Sequence, residues 1–240
     1  MSVDPWETHA GWWQEGFTEG ADAEYTEQIL PMAAQHLVGA RRVLDVGTGE
    51  GQLARVAAGM ATQGVVGVDP SWAQLAAATE RGGGPSYARA VAARLPFPAA
   101  AFDAVVACLV FEHIDDVDDA LAEVGRVLQP GGRFLFFLNH PLLQTPSSGW
   151  IDDHILDEQY WRIGPYLVED KVLEEVEKDV FLPFVHRPLS RYVNAMAASG
   201  LVIRRMEEPT PPPGFLERAQ EYRDAATIPR LLFLLAERSH

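Results

Sequence analysis

The segment VLDVGTGEG at residues 43–51 decides the fold of this 240-residue chain. Its first four residues predict a short buried β-strand, and Gly47, Gly49 and Gly51 predict a tight turn before a helix at residues 52–60. Glycine lets the backbone adopt positive φ and approach a ligand closely, and a helix N-terminus presents unpaired N–H groups. The segment therefore predicts either a ligand-binding loop or a plain tight connection between strand and helix.

Short apolar strands alternate with helices on the C-terminal side of this segment. Further strands are predicted at residues 65–69, 87–90, 103–109, 133–138, 201–206 and 230–237. Such alternation is typical of a parallel sheet covered by helices on both faces. The sequence predicts an α/β protein with a doubly wound, mostly parallel, seven-stranded sheet.

Four parts of the chain are predicted. Residues 1–40 form an N-terminal helical cap or arm, in which residues 25–37 form an amphipathic helix if Pro31 lies in its first turn. Residues 41–140 form the first part of the α/β core. Residues 141–187 form an insertion, or lid, after strand five, with an acidic helix at residues 169–179. Residues 188–240 complete the core.

The net charge is unusually negative. The chain has 34 acidic and 19 basic side chains and a formal net charge of −15. Such a surface repels nucleic acid and anionic membranes, so neither is an expected partner. No apolar stretch is long enough to span a bilayer, and no signal peptide is expected. Cys108 is the single cysteine, which suits a reducing, cytoplasmic location.

Two acids stand at informative positions around the glycine turn. Asp69 ends the second predicted strand, where a carboxylate binds ribose hydroxyls in nucleotide sites or caps the next helix. Asp45 lies inside the first strand, and burying a carboxylate is costly unless it is paired. We expect Asp45 to hold the glycine loop or to face a cation.

Further motifs follow the glycine segment in order. They are VVGVDPS at 65–71, LPFP at 95–98, FDAVV at 102–106, EHI at 112–114 and LQPGGRF at 128–134. Together they resemble class I S-adenosylmethionine (SAM)-dependent methyltransferases of the small-molecule, methyltransferase 11-like type. The resemblance covers residues 41–139, and residues 186–190 (HRPLS) resemble one subgroup more loosely. It implies a Rossmann-like fold, SAM as cofactor and S-adenosylhomocysteine as product.

The resemblance also assigns residues to the methionine end of SAM. The backbone of Gly47, Thr48 and Gly49 would hold the methionine part. Asp45 would orient the loop and face the amino group, and Leu109 would lie beside the methionine chain. The full implied cofactor set is Asp45, Gly47, Thr48, Gly49, Gly51, Asp69, Pro70, Ser71, Ala92 and Leu109.

At the adenosine end the chain departs from the family pattern. Asp69 would bind the ribose hydroxyls, Pro70 and Ser71 would flank the adenine, and Ala92 would meet its edge through the backbone. The family often has an acid just after strand three, and the aligned residue here is Val91. Adenine recognition would then rest on backbone groups, apolar contacts or a neutral side chain.

Three histidines are candidate general bases for the acceptor. His113 follows strand four, His140 follows strand five and His186 precedes a late helix. Histidine titrates near neutral pH, but a base is needed only when the acceptor must lose a proton. Each histidine could instead be structural. The spacing of histidines and acids matches no metal template, so no metal is expected.

The sequence therefore predicts methyl transfer from SAM to an oxygen or nitrogen of a small-molecule acceptor. The acid surplus lies in residues 1–40 and 141–182, and favours a neutral or cationic acceptor. Aromatic residues in the cap and lid either pack locally or line an apolar acceptor pocket. The alternatives are an RNA or protein methyltransferase, a SAM-binding protein without catalysis, and a dinucleotide-binding oxidoreductase. For the oxidoreductase, the Gly-x-Gly-x-x-Gly pattern is broken because Gln52 stands where its last glycine would be.

Overall fold

Seven strands of the chain form one central sheet. The computed structural model describes residues 5–222 and 224–240. The strands of the sheet are β1 Val43–Val46, β2 Val65–Asp69, β3 Ser86–Arg89, β4 Phe102–Cys108, β5 Leu128–Asn139, β10 Leu201–Glu207 and β11 Leu231–Arg238. Their order across the sheet is β10-β11-β5-β4-β1-β2-β3.

The sheet is mostly parallel. Strands β1 to β5 run parallel to one another, whereas β11 runs antiparallel to both β5 and β10. Strands β2 and β3 are added on one side of β1, and β4 and β5 on its other side. The junction of β1 and β4 is therefore a topological switch point. Ligands of open α/β sheets bind in the crevice beyond the carboxyl ends of strands at that point. The predicted fold class is confirmed.

Helices cover both faces of the sheet. The helices are α1 Pro5–Thr8, α2 Ala10–Phe17, α3 Leu30–Leu37, α4 Gln52–Ala58, α5 Trp72–Arg81, α6 Val117–Val127, α7 Leu189–Ala198 and α8 Pro213–Leu216. One apolar core joins α6 and α7 to the sheet, with Leu121, Val124 and Met196 fully enclosed. The second core joins α3 and α4 to the opposite face through Leu37 and Leu53. This two-sided burial explains why β4 is apolar along its whole length.

The amphipathic helix predicted at residues 25–37 has two parts. A π-helical turn spans Tyr25–Ile29 and continues directly into α3. Pro31 therefore falls in the first turn of α3, where its missing N–H and fixed φ are tolerated. The wider turn accommodates a proline that would otherwise break a continuous α-helix.

The insertion after β5 consists of two β-hairpins. Strands β6 Gly149–Asp153 and β7 Glu158–Arg162 pair in one, and β8 Asp170–Glu177 and β9 Val180–His186 pair in the other. The prediction of an acidic helix at residues 169–179 was wrong. Along β8, half-buried Val172, Glu174 and Val176 alternate with exposed residues, which is the two-residue period of a strand. Pairing with the apolar strand β9 overrides the helix propensity of the glutamates.

The helices of the described residues are all too short or too polar to cross a membrane.

Candidate active site

The loop after β1 is shaped by glycines in the left-handed region. Gly47, Gly49 and Gly51 have φ values of 71°, 53° and 85°. A Cβ atom on Gly47 would lie 2.3 Å from Cγ2 of Val110, so no other residue fits there without displacing its neighbour. The N–H groups of Gly47 and Thr48 both donate to the carbonyl of Val68, at 2.8 and 2.9 Å. The loop is therefore fixed against the end of β2.

Asp45 is buried directly beneath this loop. Its Oδ2 accepts a hydrogen bond of 2.7 Å from Oγ1 of Thr48. Burial, with a smaller contribution from the nearby Asp69 and Glu50 carboxylates, raises the pKa of Asp45 to about 7. A cationic group placed beside Asp45 would favour the ionised carboxylate and lower that pKa again. The carboxyl therefore fits a positively charged ligand group.

Asp69 joins the glycine loop to the start of α5. One carboxylate oxygen accepts from the N–H of Gly49 at 3.0 Å, and the other accepts from the N–H of Ser71 at 2.9 Å. Ser71 in turn caps α5 by accepting from the N–H of Gln74. These two bonds hold the carboxylate at the end of β2, next to the glycine loop.

A cavity of about 460 Å³ lies in front of the loop, at the carboxyl ends of β1, β2 and β4. That size is within the range of cofactor sites. Eight of the ten predicted cofactor residues line it: Asp45, Gly47, Thr48, Gly49, Asp69, Pro70, Ala92 and Leu109. Ser71 is fully buried behind it. Gly51 begins α4, and a Cβ on it would lie 2.2 Å from the hydroxyl oxygen of Tyr87.

The far end of the cavity is apolar. Ala90, Val91, Ala92 and Ala93 line it, and Val91 is half exposed. Their side chains are small and apolar, so this part of the wall offers a ligand backbone groups and apolar contacts. It includes Val91, the position at which the family often has an acid. Leu109, at the opposite end, has a φ of 53°, which a non-glycine residue rarely adopts. Such strained positions cluster at functional sites.

Comparisons with known proteins agree with this geometry. Residues 44–136 match a family model described as a methyltransferase domain. The chain is 37% identical over 121 residues to a demethylmenaquinone methyltransferase of Thermus thermophilus, an alignment covering 48% of this chain and 54% of that protein. It is 32% identical over 133 residues to an O-methyltransferase of Aspergillus sclerotiorum, covering 52% and 50% respectively. The alignments thus span about half the length of these curated relatives.

A solved structure matches nearly the whole fold. It is an S-adenosylmethionine dependent methyltransferase from Mesorhizobium loti, with a TM-score of 0.75 and 29% identity. The match covers 87% of this chain and 96% of that one. Residues 44–136 form a methyltransferase domain, and the fold around them is similar to that of a SAM-dependent methyltransferase. The family expected from the ordered motifs is confirmed.

The three candidate bases lie in different surroundings. His140 donates from Nε2 to Glu208 at 2.7 Å and accepts from the N–H of Leu142 at its Nδ1. His186 is buried, and its Nε2 lies 2.8 Å from the carbonyl of Tyr166. Neither residue lines the cavity, whereas His113 does.

His113 is held as a neutral ring at the cavity wall. Its Nδ1 lies 2.8 Å from the carbonyl oxygen of Pro183. A carbonyl only accepts, so Nδ1 carries the proton and Nε2 is left as an acceptor. The ring packs between Trp6 and Phe184, with centroid distances of 4.7 and 4.5 Å. Burial lowers the pKa of His113 to about 4, so the ring stays neutral at physiological pH.

Arg187 fixes the segment that carries His113. Its guanidinium donates to the carbonyls of Phe111, Ile114 and Asp115, at 3.2, 2.6 and 2.8 Å. This buried side chain from the end of the insertion thereby ties the lid to the loop after β4. The carbonyl of Pro183, which contacts the His113 ring, belongs to the same insertion. The position of the insertion therefore determines how both the ring and its segment are held.

A second buried acid lies beside the site. Oε1 of Glu112 accepts from the backbone N–H and the side-chain amide of Asn139, at 3.3 and 3.0 Å. Its Oε2 is buried without a hydrogen-bond partner. Burial raises the pKa of Glu112 to about 7, so the carboxyl is protonated over part of the neutral range.

The raised pKa of Glu112 predicts a stability effect with a definite sign. The unfolded chain loses this proton near pH 4.5, whereas the folded chain keeps it to about pH 7. The contribution of this group to the free energy of unfolding is therefore largest at low pH, and it is lost as the pH rises through 7. Glu112→Gln should change stability little at pH 5 and raise it by about 3 kcal/mol at pH 8, measured by urea denaturation. An equal effect at both pH values would contradict the assignment.

The sequence did not identify several residues that line the site. Trp6, Val110, Lys171 and Pro183 all line the cavity, yet none belongs to the ordered motifs. The clustering of tryptophans in an acidic arm was the available signal. It pointed to the correct segment for Trp13, which lines this cavity, but Trp12 does not line it and the insertion's Trp150 stacks on Tyr222 instead.

Proposed function

We propose that the protein transfers a methyl group from SAM to a small-molecule acceptor. The observation that carries the proposal is the single continuous cavity that joins the glycine loop, Asp45 and Asp69 to His113. When bound there, SAM supplies a methyl group that its sulfonium sulfur already activates for transfer. The chain's task is then to place the acceptor in line with that methyl group and to exclude water.

The methionine end of SAM fits the loop side of the cavity. The positive φ values of Gly47 and Gly49 bring the backbone close to the ligand, and Asp45 faces its amino group. Asp69 accepts from the ribose hydroxyls while its bonds to Gly49 and Ser71 hold it in place. Pro70 and the alanines around Val91 flank the adenine without a charged partner.

The acceptor side of the cavity carries a neutral base. Nε2 of His113 accepts the acceptor's proton, and the Pro183 carbonyl holds the required tautomer. Because its pKa is low, His113 is a weak base, and its ring is unprotonated at neutral pH before the transfer. His140 and His186 have structural roles, since their rings bond to Glu208 and to the Tyr166 carbonyl.

The charge around the cavity favours neutral or cationic acceptors over anions. Among its described lining residues, Asp45, Glu50, Asp69, Asp115 and Asp116 are acidic, and Lys171 is the one lysine or arginine. Lys171 pairs with Asp115 at 2.6 Å, so its charge is compensated at the rim. The names of the two curated relatives point to different acceptors. We therefore choose the acceptor from the charge and shape of this site, not from those names.

A product scan tests the proposal directly. The protein is incubated with SAM carrying a trideuterated methyl group and a metabolite extract, and products are separated by mass spectrometry. We expect at least one small molecule that gains the labelled methyl group. Asp103→Asn, which changes a carboxylate at the opposite end of the sheet, is the positive control. Tight SAM binding with no labelled product would indicate a SAM-binding protein without catalysis.

A further inference from the structure

A second cavity of about 210 Å³ adjoins the first one. Trp6, Trp13, Tyr25, Leu109 and His113 line both, so the two share a wall. We call the second cavity the acceptor chamber, a name that rests on the proposed function. A dry apolar cavity of about 150 Å³ can hold a benzene molecule. The chamber therefore has room for one substituted ring or a compact pair of fused rings.

Six of the sixteen described residues that line the chamber are aromatic. They are Trp6, Trp12, Trp13, Phe17, Tyr25 and Phe184. Trp13 stacks on Phe17 at 4.4 Å and meets Trp6 edge-on at 5.7 Å. These rings come from the N-terminal helices and from β9, and their mutual packing leaves little freedom to rearrange. Rigid aromatic walls favour a flat ring, which they contact face-on or edge-on at its full area.

The charged groups of the chamber have partners in the protein. Arg230 donates to both carboxylate oxygens of Glu24, at 2.9 and 3.1 Å. Asp22 accepts from the N–H of Tyr25 at 2.9 Å and caps the turn that begins there. An anionic acceptor would have to break the Arg230 pair, and a cationic one would have to compete for Glu24. The chamber therefore suits an uncharged ligand.

One hydrogen-bond acceptor faces the wall shared by the two cavities. The tautomer that Pro183 imposes on His113 leaves Nε2 able to accept a hydrogen bond. A ligand that uses this group must carry an O–H or N–H donor. An aliphatic amine is cationic at neutral pH, whereas a hydroxyl group is uncharged and donates a hydrogen bond, so it meets both requirements.

We propose that the acceptor is an uncharged aromatic hydroxy compound of one or two rings, bound between the tryptophans with its hydroxyl on Nε2 of His113. In the transfer, the hydroxyl oxygen bonds to the methyl carbon, and the carbon–sulfur bond breaks with its electron pair left on sulfur. The hydroxyl proton passes to Nε2 and then to solvent. Every atom and charge is accounted for without a further reactant.

Binding of matched probes tests this inference. The protein is saturated with S-adenosylhomocysteine, and binding is followed by equilibrium dialysis. The probes are 2-naphthol, naphthalene, the saturated analogue decahydro-2-naphthol and the cationic 1-naphthylmethylammonium. We expect 2-naphthol to bind about tenfold more tightly than the saturated alcohol, which lacks the flat ring. We also expect it to bind more tightly than naphthalene and the ammonium probe.

Variants separate the chamber from the rest of the molecule. Trp12→Leu should weaken 2-naphthol binding severalfold, because Trp12 lines the chamber and not the larger cavity. Trp150→Leu is the matched control, since Trp150 stacks on Tyr222 outside both cavities, and it should leave binding unchanged. His113→Leu should remove the preference for 2-naphthol over naphthalene.

The outcomes distinguish this inference from the proposed function. If S-adenosylhomocysteine binds but the ammonium probe or the saturated alcohol binds best, the inference is overturned and the proposed function stands. The same holds if 2-naphthol binds no more tightly than naphthalene. If neither SAM nor S-adenosylhomocysteine binds, the proposed function itself fails.

Discussion

Replacing His113 with leucine is expected to lower turnover by about 100-fold while SAM affinity stays unchanged. General bases contribute roughly 10²–10⁴ to a rate, and the low pKa of His113 places the loss at the lower end. Its ring packs between Trp6 and Phe184, so leucine keeps an apolar contact there but removes Nε2. Turnover is measured on the acceptor that the product scan identifies, and SAM affinity by calorimetry.

The controls for this variant are a second histidine and the pH profile. His140→Gln should lower stability but leave turnover per folded molecule nearly unchanged, because His140 bonds to Glu208 outside the cavity. At saturating SAM, turnover of the unmodified protein should not fall between pH 8 and 6, because His113 stays neutral down to about pH 4. A loss of turnover of about 100-fold in His140→Gln would assign the base to His140 instead.

Replacing Asp69 with alanine is expected to weaken SAM binding by about 1–3 kcal/mol, the cost of leaving ligand hydroxyls without a partner. That corresponds to an affinity loss of about 5- to 150-fold. Asp69 also anchors the N–H groups of Gly49 and Ser71, so some of the loss would come from a looser loop. Asp69→Asn keeps one of those backbone bonds and should lose less affinity.

A matched carboxylate controls for the structural share of this effect. Asp103 accepts from the backbone N–H groups of Arg41 and Arg42, at 3.0 and 2.8 Å, before β1 begins. Asp103→Ala removes a similar anchoring role far from the cavity. It should lower thermal stability without changing SAM affinity. Equal affinities in Asp69→Ala and the unmodified protein would show that the ribose binds elsewhere.

The sheet was predictable because its signal is local. Strands such as Val43–Val46 and Val65–Asp69 are short apolar runs bounded by turn residues, and both faces of the sheet are buried. The glycine loop was predictable for the same reason, since one contiguous segment determines its shape. Residues 169–179 were predicted wrongly because glutamates favour helix locally, and only the pairing of β8 with β9 makes them a strand.

The acceptor side of the site was less predictable because distant segments build it. His113 takes its tautomer from Pro183, and its ring contacts Trp6 from the N-terminal arm. None of these pairings leaves a spacing pattern in the sequence. Position after a strand made His113 and His140 candidates, and position before a late helix made His186 a third. Only the fold shows that two of them bond to Glu208 and to a carbonyl away from the cavity.

Calorimetric titration of the protein with SAM, and separately with NADH, tests the central claim most directly. Asp69, Asp45 and the glycine loop predict saturable one-to-one binding of SAM and no heat from NADH. A proton should be released when SAM binds at pH 6 but not at pH 8, because Asp45 is still protonated at pH 6 in the free protein and a cation beside it lowers its raised pKa. Tight binding of NADH with no heat from SAM would contradict the account.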